Sequence, residues 1–162
     1  MRYSLPYGKS NVVFEAPEEQ IIFTGEMRAI PELNDIEAAL IQAMDNPIGA
    51  KPLRLLAKGK KNIVFLVEDG TRDTPLSIMM PVITDYLNRH GIPDDAMSFL
   101  TAPGTHRIMT EGEIIEKLGG DMVRRFAVRQ HDANIASDMR DLGTVNAGDY
   151  EIPVHVNKYA LG

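Results

Sequence analysis

The chain has 162 residues, 44% of them hydrophobic, enough for one domain with a real core and short for a second full one. Seventeen Lys and Arg against 23 Asp and Glu give a formal net charge of −6, which speaks against a nucleic-acid partner because neutralising phosphates takes clustered cations. The absence of cysteine excludes a disulfide scaffold, a thiolate zinc site and a Cys nucleophile; with no signal-like apolar segment at Met1–Lys9 and no run near the roughly 20 residues of a membrane span, a cytoplasmic location without membrane contact is expected.

Short strands are expected at Asn11–Phe14 and Gln20–Phe23, then a linker through Pro31. Asn34 or Asp35 can cap a helix whose apolar positions Ile36, Ala39, Leu40, Ala43 and Met44 lay one face on a core until Asn46-Pro47 stops it. A short helical turn through Leu55 and Leu56 follows, and then the period changes. Asn62–Val67 is a nearly continuous apolar run, as for a parallel strand buried on both faces. Pro75 suits the first turn of a helix with the stripe Leu76, Met79, Met80, Ile83, Tyr86 and Leu87, kinked at Pro81 and ending before Gly91. Met97–Leu100 completes a strand–helix–strand unit. Thr110 and Glu113 have capping-box spacing ahead of a helix ended by Gly119-Gly120. Strands are expected at Phe126–Arg129, Leu142–Val145 and Ile152–Val156, with a turn at Asn146–Asp149. The fold class is therefore α/β, a Rossmann-like, mostly parallel sheet flanked by helices in a single domain.

Two polar loops, Glu68–Pro75 and Thr101–Arg107, each follow a strand and precede a helix. Ligands of open α/β sheets sit outside the carboxyl ends of strands, so the two loops suggest one shared pocket. His106 is the strongest acid/base candidate, since imidazole can carry a proton either way near neutral pH; the bland reading is a solvated loop histidine. Arg72 offers a planar fork for a carboxylate or phosphate, or else a plain salt bridge to Asp69 or Asp73. Asp69 and Thr71 could hydrogen-bond a ligand, but are also ordinary turn and cap residues. His131-Asp132 reads as a structural turn, His90 as a helix-end residue, and His155 as part of an alternating strand. Lys58–Lys61 and Arg124-Arg125 read as solvated faces or helix ends. No pair of histidines has metal-site spacing, and no phosphate-binding glycine loop is present, so no metal ligand is assigned.

Asp69-Gly70-Thr71-Arg72 with Thr74-Pro75, then Ala102–Arg107 with Thr110 and Glu113, resembles the nickel-dependent lactate racemase family. Tyr7-Gly8-Lys9, Pro47 with Gly49, Pro52-Leu53, His131-Asp132, Leu142-Gly143-Thr144 and Val156-Asn157 extend the likeness over essentially the whole chain. The resemblance implies a 2-hydroxy acid racemase or epimerase using a nickel pincer nucleotide, a pyridinium bisthiocarboxylate mononucleotide carrying Ni. It further implies His106 as one of two acid/base histidines, Arg72 as the substrate carboxylate partner, and Asp69 and Thr71 as cofactor-side contacts. Asp73 stands where the family commonly has Pro, adding a negative charge beside Arg72. The family's next segment carries a second catalytic histidine, the cofactor-linked lysine and a nickel-binding histidine. Residues 1–162 are therefore expected to be the N-terminal domain of a two-domain protein, inactive without a C-terminal domain that holds most of the cofactor. The rival expectation is a non-catalytic nucleotide-binding or assembly module of the same fold; a stand-alone hydrolase using His106 with Asp69 ranks last, for want of a nucleophile motif.

Overall fold

The computed structural model describes residues 1–161, which divide into two compact units, 1–32 and 33 onward. The first is a two-stranded antiparallel hairpin, β1 (Arg2–Tyr7) and β2 (Ser10–Glu15), with Gly8 at φ +59° taking the first turn position. The strand expected at Gln20–Phe23 does not form. Residues Glu18–Gln20 make one 3-10 turn whose amide bonds, Gln20 to Pro17 O and Ile21 to Glu18 O, take groups that a ladder would need. Ile22 and Phe23 are exposed, with no neighbouring strand to pair with.

The second unit is the mixed α/β domain, a parallel three-stranded sheet flanked by helices. Its chain order is α1 (Ile36–Asp45), α2 (Leu53–Ala57), β3 (Ile63–Val67), α3 (Leu76–Arg89), β4 (Met97–Thr101), α4 (Glu111–Leu118), α5 (Gly120–Arg125) and β5 (Ala127–Gln130). The strands lie in the order β3-β4-β5, with Phe65 beside Phe99 and Phe99 beside Val128. Ile63, Phe65 and Val67 alternate into one core with Leu76, Met80, Leu87, Phe99, Leu118 and Met122. Phe99, stacked on Phe65 and edge-on to Phe126, is its centre.

Two expectations change here. The run Asn62–Val67 is not buried on both faces, because β3 is an edge strand whose alternate residue Leu66 is 62% exposed. In α1, capped by Asp35 Oδ1 accepting from Ala38 N at 2.8 Å, it is Ile41 and Met44 that meet the core, while Ile36 and Ala43 are exposed. The stripe is turned by about one residue, and Asp45 at the helix end accepts from Tyr86 Oη at 2.7 Å and pairs with Arg54.

Gly119-Gly120 ends α4 as expected but also starts α5, a helix the sequence reading does not include. Gly119 has φ +89°, a region that disfavours a side chain, and lets the chain turn directly into the next helix. Met122 of α5 is almost fully buried. The last two strands, β6 (Met139–Ala147) and β7 (Tyr150–Asn157), pair antiparallel as a separate ribbon rather than joining the parallel sheet. Its turn is only Gly148-Asp149, and a bulge sits between Asp141 and Thr144 where Gly143 has φ +93°. Among the described residues, no helix is long and apolar enough to cross a membrane.

Candidate active site

The ends of β3 and β4 are knitted by Ala102 N donating to Val67 O at 2.8 Å, which sets the two polar loops side by side. They wall a cleft of about 490 Å³ whose lining includes Asp69, Thr71, Arg72, Ser77, His106 and Lys117. That is the shared pocket the strand-end placement suggested.

Asp69 is the hinge of the arrangement. It is 6% exposed, and its Oδ1 accepts from Thr71 Oγ1 at 2.6 Å and Thr71 N at 3.1 Å. Its Oδ2 lies 2.7 Å from His106 Nδ1. The Thr71 hydroxyl first, and then His106, hold the Asp69 carboxyl down to about 2, so it is ionised and accepts only. Nδ1 therefore donates, and among the described residues nothing engages the Nε2 lone pair of a neutral ring. The imidazole itself is 54% exposed. Asp69 and Thr71 thus orient His106, the coupling that the hydrolase reading considered; Asp69 has both oxygens engaged within the chain.

The salt bridge considered for Arg72 is not formed. Asp69 is committed elsewhere, and among the described residues the Arg72 guanidinium has no ion-pair partner. Arg107, the other arginine of the cleft, is spent on Glu113 through two bonds of 2.8 and 2.6 Å. Glu113 also closes the capping box with Thr110, and Arg107 first, then Thr110, bring its carboxyl to about 2. Arg72 is consequently the cation of the cleft that remains available to an anion.

Several holding residues were missed in the sequence. Lys117 Nζ lies 2.6 Å from Arg72 O, 3.1 Å from Thr74 O and 3.1 Å from Glu68 Oε1. Burial pushes the Glu68 carboxyl up, but the Thr74 hydroxyl and Lys117 outweigh it and leave it lowered. Gln130, one residue past the expected end of its strand, grips the Met109 backbone at 2.7 and 2.8 Å and so fixes the far end of the His106 loop.

The other histidines stay outside the cleft. His131 Nδ1 accepts from Asn157 Nδ2 at 3.2 Å, while Asp132 accepts from Asn134, so that pair is the turn it was expected to be. His90 bonds Tyr86 O at the end of α3, and His155 lies on the exposed ribbon. Among the described residues no group of three His, Asp or Glu could hold a metal ion.

Fold and site together define an α/β domain carrying a carboxylate-oriented histidine and an unpaired arginine in a cleft at its strand ends. The chain belongs to the lactate racemase N-terminal domain family, which matches residues 7–162. It is 34% identical over 161 residues to a lactate racemase of Thermoanaerobacterium thermosaccharolyticum, covering 97% of this chain and 36% of that protein. It is 32% identical over 146 residues to a lactate racemase of Lactiplantibacillus plantarum, covering 89% of this chain and 34% of that one. The solved lactate racemase apoprotein of T. thermosaccharolyticum superposes with TM-score 0.79 at 33% identity, over 99% of this chain and 36% of the other. A Thermotoga maritima protein shares the fold at 24% identity and TM-score 0.57, over 75% of this chain and 30% of the other. The chain thus spans about a third of the length of the racemases it matches.

Proposed function

We propose that this chain is the N-terminal part of a 2-hydroxy acid racemase or epimerase of the lactate type, and that it supplies the proton-transfer and carboxylate-binding wall of an active site completed by a C-terminal domain. The observation that carries this is the His106–Asp69 couple at 2.7 Å in the cleft where the Arg72 guanidinium has no ion-pair partner among the described residues.

Arg72 takes the carboxylate of the 2-hydroxy acid through its planar fork, which fixes the orientation of C2. His106 Nε2 accepts the hydroxyl proton, and Asp69 stabilises the imidazolium so formed at Nδ1 without taking a proton itself. His106 holds that proton while C2 is planar and returns it to the oxygen. When bound, the nickel pincer nucleotide supplies the acceptor and donor for the C2 hydride. The chain's residues fit the nucleotide portion of that group: the hydroxyls of Thr71, Thr74 and Ser77 line the cleft beside Arg72 and suit hydroxyl-bearing or anionic atoms. They do not fit the metal, for which the described residues offer no ligand set.

Chiral analysis of L-lactate incubated with the 162-residue chain, and with the cofactor-loaded protein that includes the C-terminal domain, tests the reading. Racemisation is expected only from the latter. Turnover by the chain alone overturns the two-domain reading. Absence of turnover and of 2-hydroxy acid binding in the loaded protein, with mononucleotide binding retained, replaces it by a nucleotide-binding module.

A further inference from the structure

Helix α4 touches both site loops through two residues one turn apart. Glu113 holds Arg107 beside His106, and Lys117 holds the loop that carries Arg72. Glu113 and Lys117 have the i, i+4 spacing that would pair them with each other on an isolated helix. Each is instead committed to a different loop, so α4 clamps the two together.

The Lys117 end of the clamp is the unusual one. An ammonium has three N–H donors and no acceptor. Lys117 donates to two carbonyls of one short segment, those of Arg72 and Thr74, and its charge sits 3.1 Å from Glu68 Oε1, an atom shut off from solvent with no hydrogen-bond partner among the described residues. The Lys117 side chain is only 8% exposed. A buried ammonium is tolerated where its charge is balanced; the Glu68 carboxylate balances that of Lys117, and two of its three donors are used. The Asp69–Thr71 bonds anchor the same segment from its other side. Arg72 is therefore pinned through its backbone between two anchors while its guanidinium stays unpaired.

We propose that Lys117, with Glu68 as its counter-ion, is the positioning residue for Arg72: it fixes the 68–75 loop so that the guanidinium is already placed when an anionic substrate arrives. Ordering the loop in advance removes an entropy cost from binding, so its loss falls on substrate affinity. This role rests on Arg72 being the carboxylate partner, and the variants separate the two.

Lys117→Met removes the donors but strands the Glu68 carboxylate, so the double variant Glu68→Gln/Lys117→Met is made beside it, with Arg72→Ala as the control. Hydrogen–deuterium exchange on the 162-residue chain reads the loop. The KM and kcat for L-lactate, measured on the cofactor-loaded protein with its C-terminal domain, read the consequence. In Lys117→Met and in the double variant, amides of residues 70–74 exchange about tenfold faster and KM rises about tenfold, with kcat within about twofold of wild type. In the double variant the amides of β3 and β4 keep wild-type exchange. Lys117→Arg, which retains the charge, recovers part of the loop protection. Wild-type exchange at 70–74 in the double variant, or a rise spread evenly over the loop and both strands, overturns the role. Unchanged KM in Arg72→Ala overturns the reading of Arg72 and this role with it. A raised KM in Arg72→Ala beside unchanged KM in both Lys117 variants overturns the role alone.

Discussion

Asp69 stays ionised although it is nearly shut off from water, because the Thr71 hydroxyl and amide and the His106 ring all donate to it. Its carboxyl sits at about 2 instead of the usual 3.8. A group whose folded-state value is depressed stabilises the fold fully above its unfolded value, and that contribution drains away as pH falls toward the folded value. Urea unfolding followed from pH 5 down to pH 2 should show stability falling below about pH 4, and Asp69→Asn should remove part of the fall. An Asp69→Asn curve parallel to wild type would mean the couple contributes nothing to folding. His106, Arg72, Asp69 and Thr71 were legible as candidates because strand-end placement brings their loops together. The His106–Asp69 bond depends on how two loops 37 residues apart meet, which spacing cannot encode. Lys117 was hidden for another reason: a lysine in the last turn of a helix is ordinary for its dipole, and nothing local separates that use from a loop anchor.

At the scale of elements, periodic signals held where packing agreed with them. The capping box of Thr110 and Glu113 and the cap at Asp35 formed as read, since both are local hydrogen bonds. The two-sided burial of β3 failed because apolar content does not reveal whether a strand is central or at an edge. Gln20–Phe23 failed because a strand needs a neighbour. Helix α5 escaped because Gly119-Gly120 reads as a stop, although Met122 and Phe126 at i, i+4 were the available sign of another apolar turn. The centre of the packing is Phe99, 1% exposed between two aromatic rings. Phe99→Ala should cost about 3–5 kcal/mol in urea unfolding, since the cavity adds to the lost transfer energy. A loss under about 1 kcal/mol would show that β4 is not the core strand described.

For the whole molecule, the parallel sheet works as a frame with one working end. The loops after β3 and β4 form the cleft, and the residue that ends β5 ties down the second of them. Fold class and family were readable in the chain, because the two loop motifs occur in order at two successive strand ends. The separate β6–β7 ribbon was not, since alternation identifies a strand without saying which sheet it joins. The most direct test is the rate of L-lactate racemisation by the cofactor-loaded protein with its C-terminal domain when His106→Asn replaces the imidazole. The rate is expected to fall about 10²–10⁴-fold with circular dichroism unchanged. A wild-type rate would contradict this and remove His106 from the chemistry.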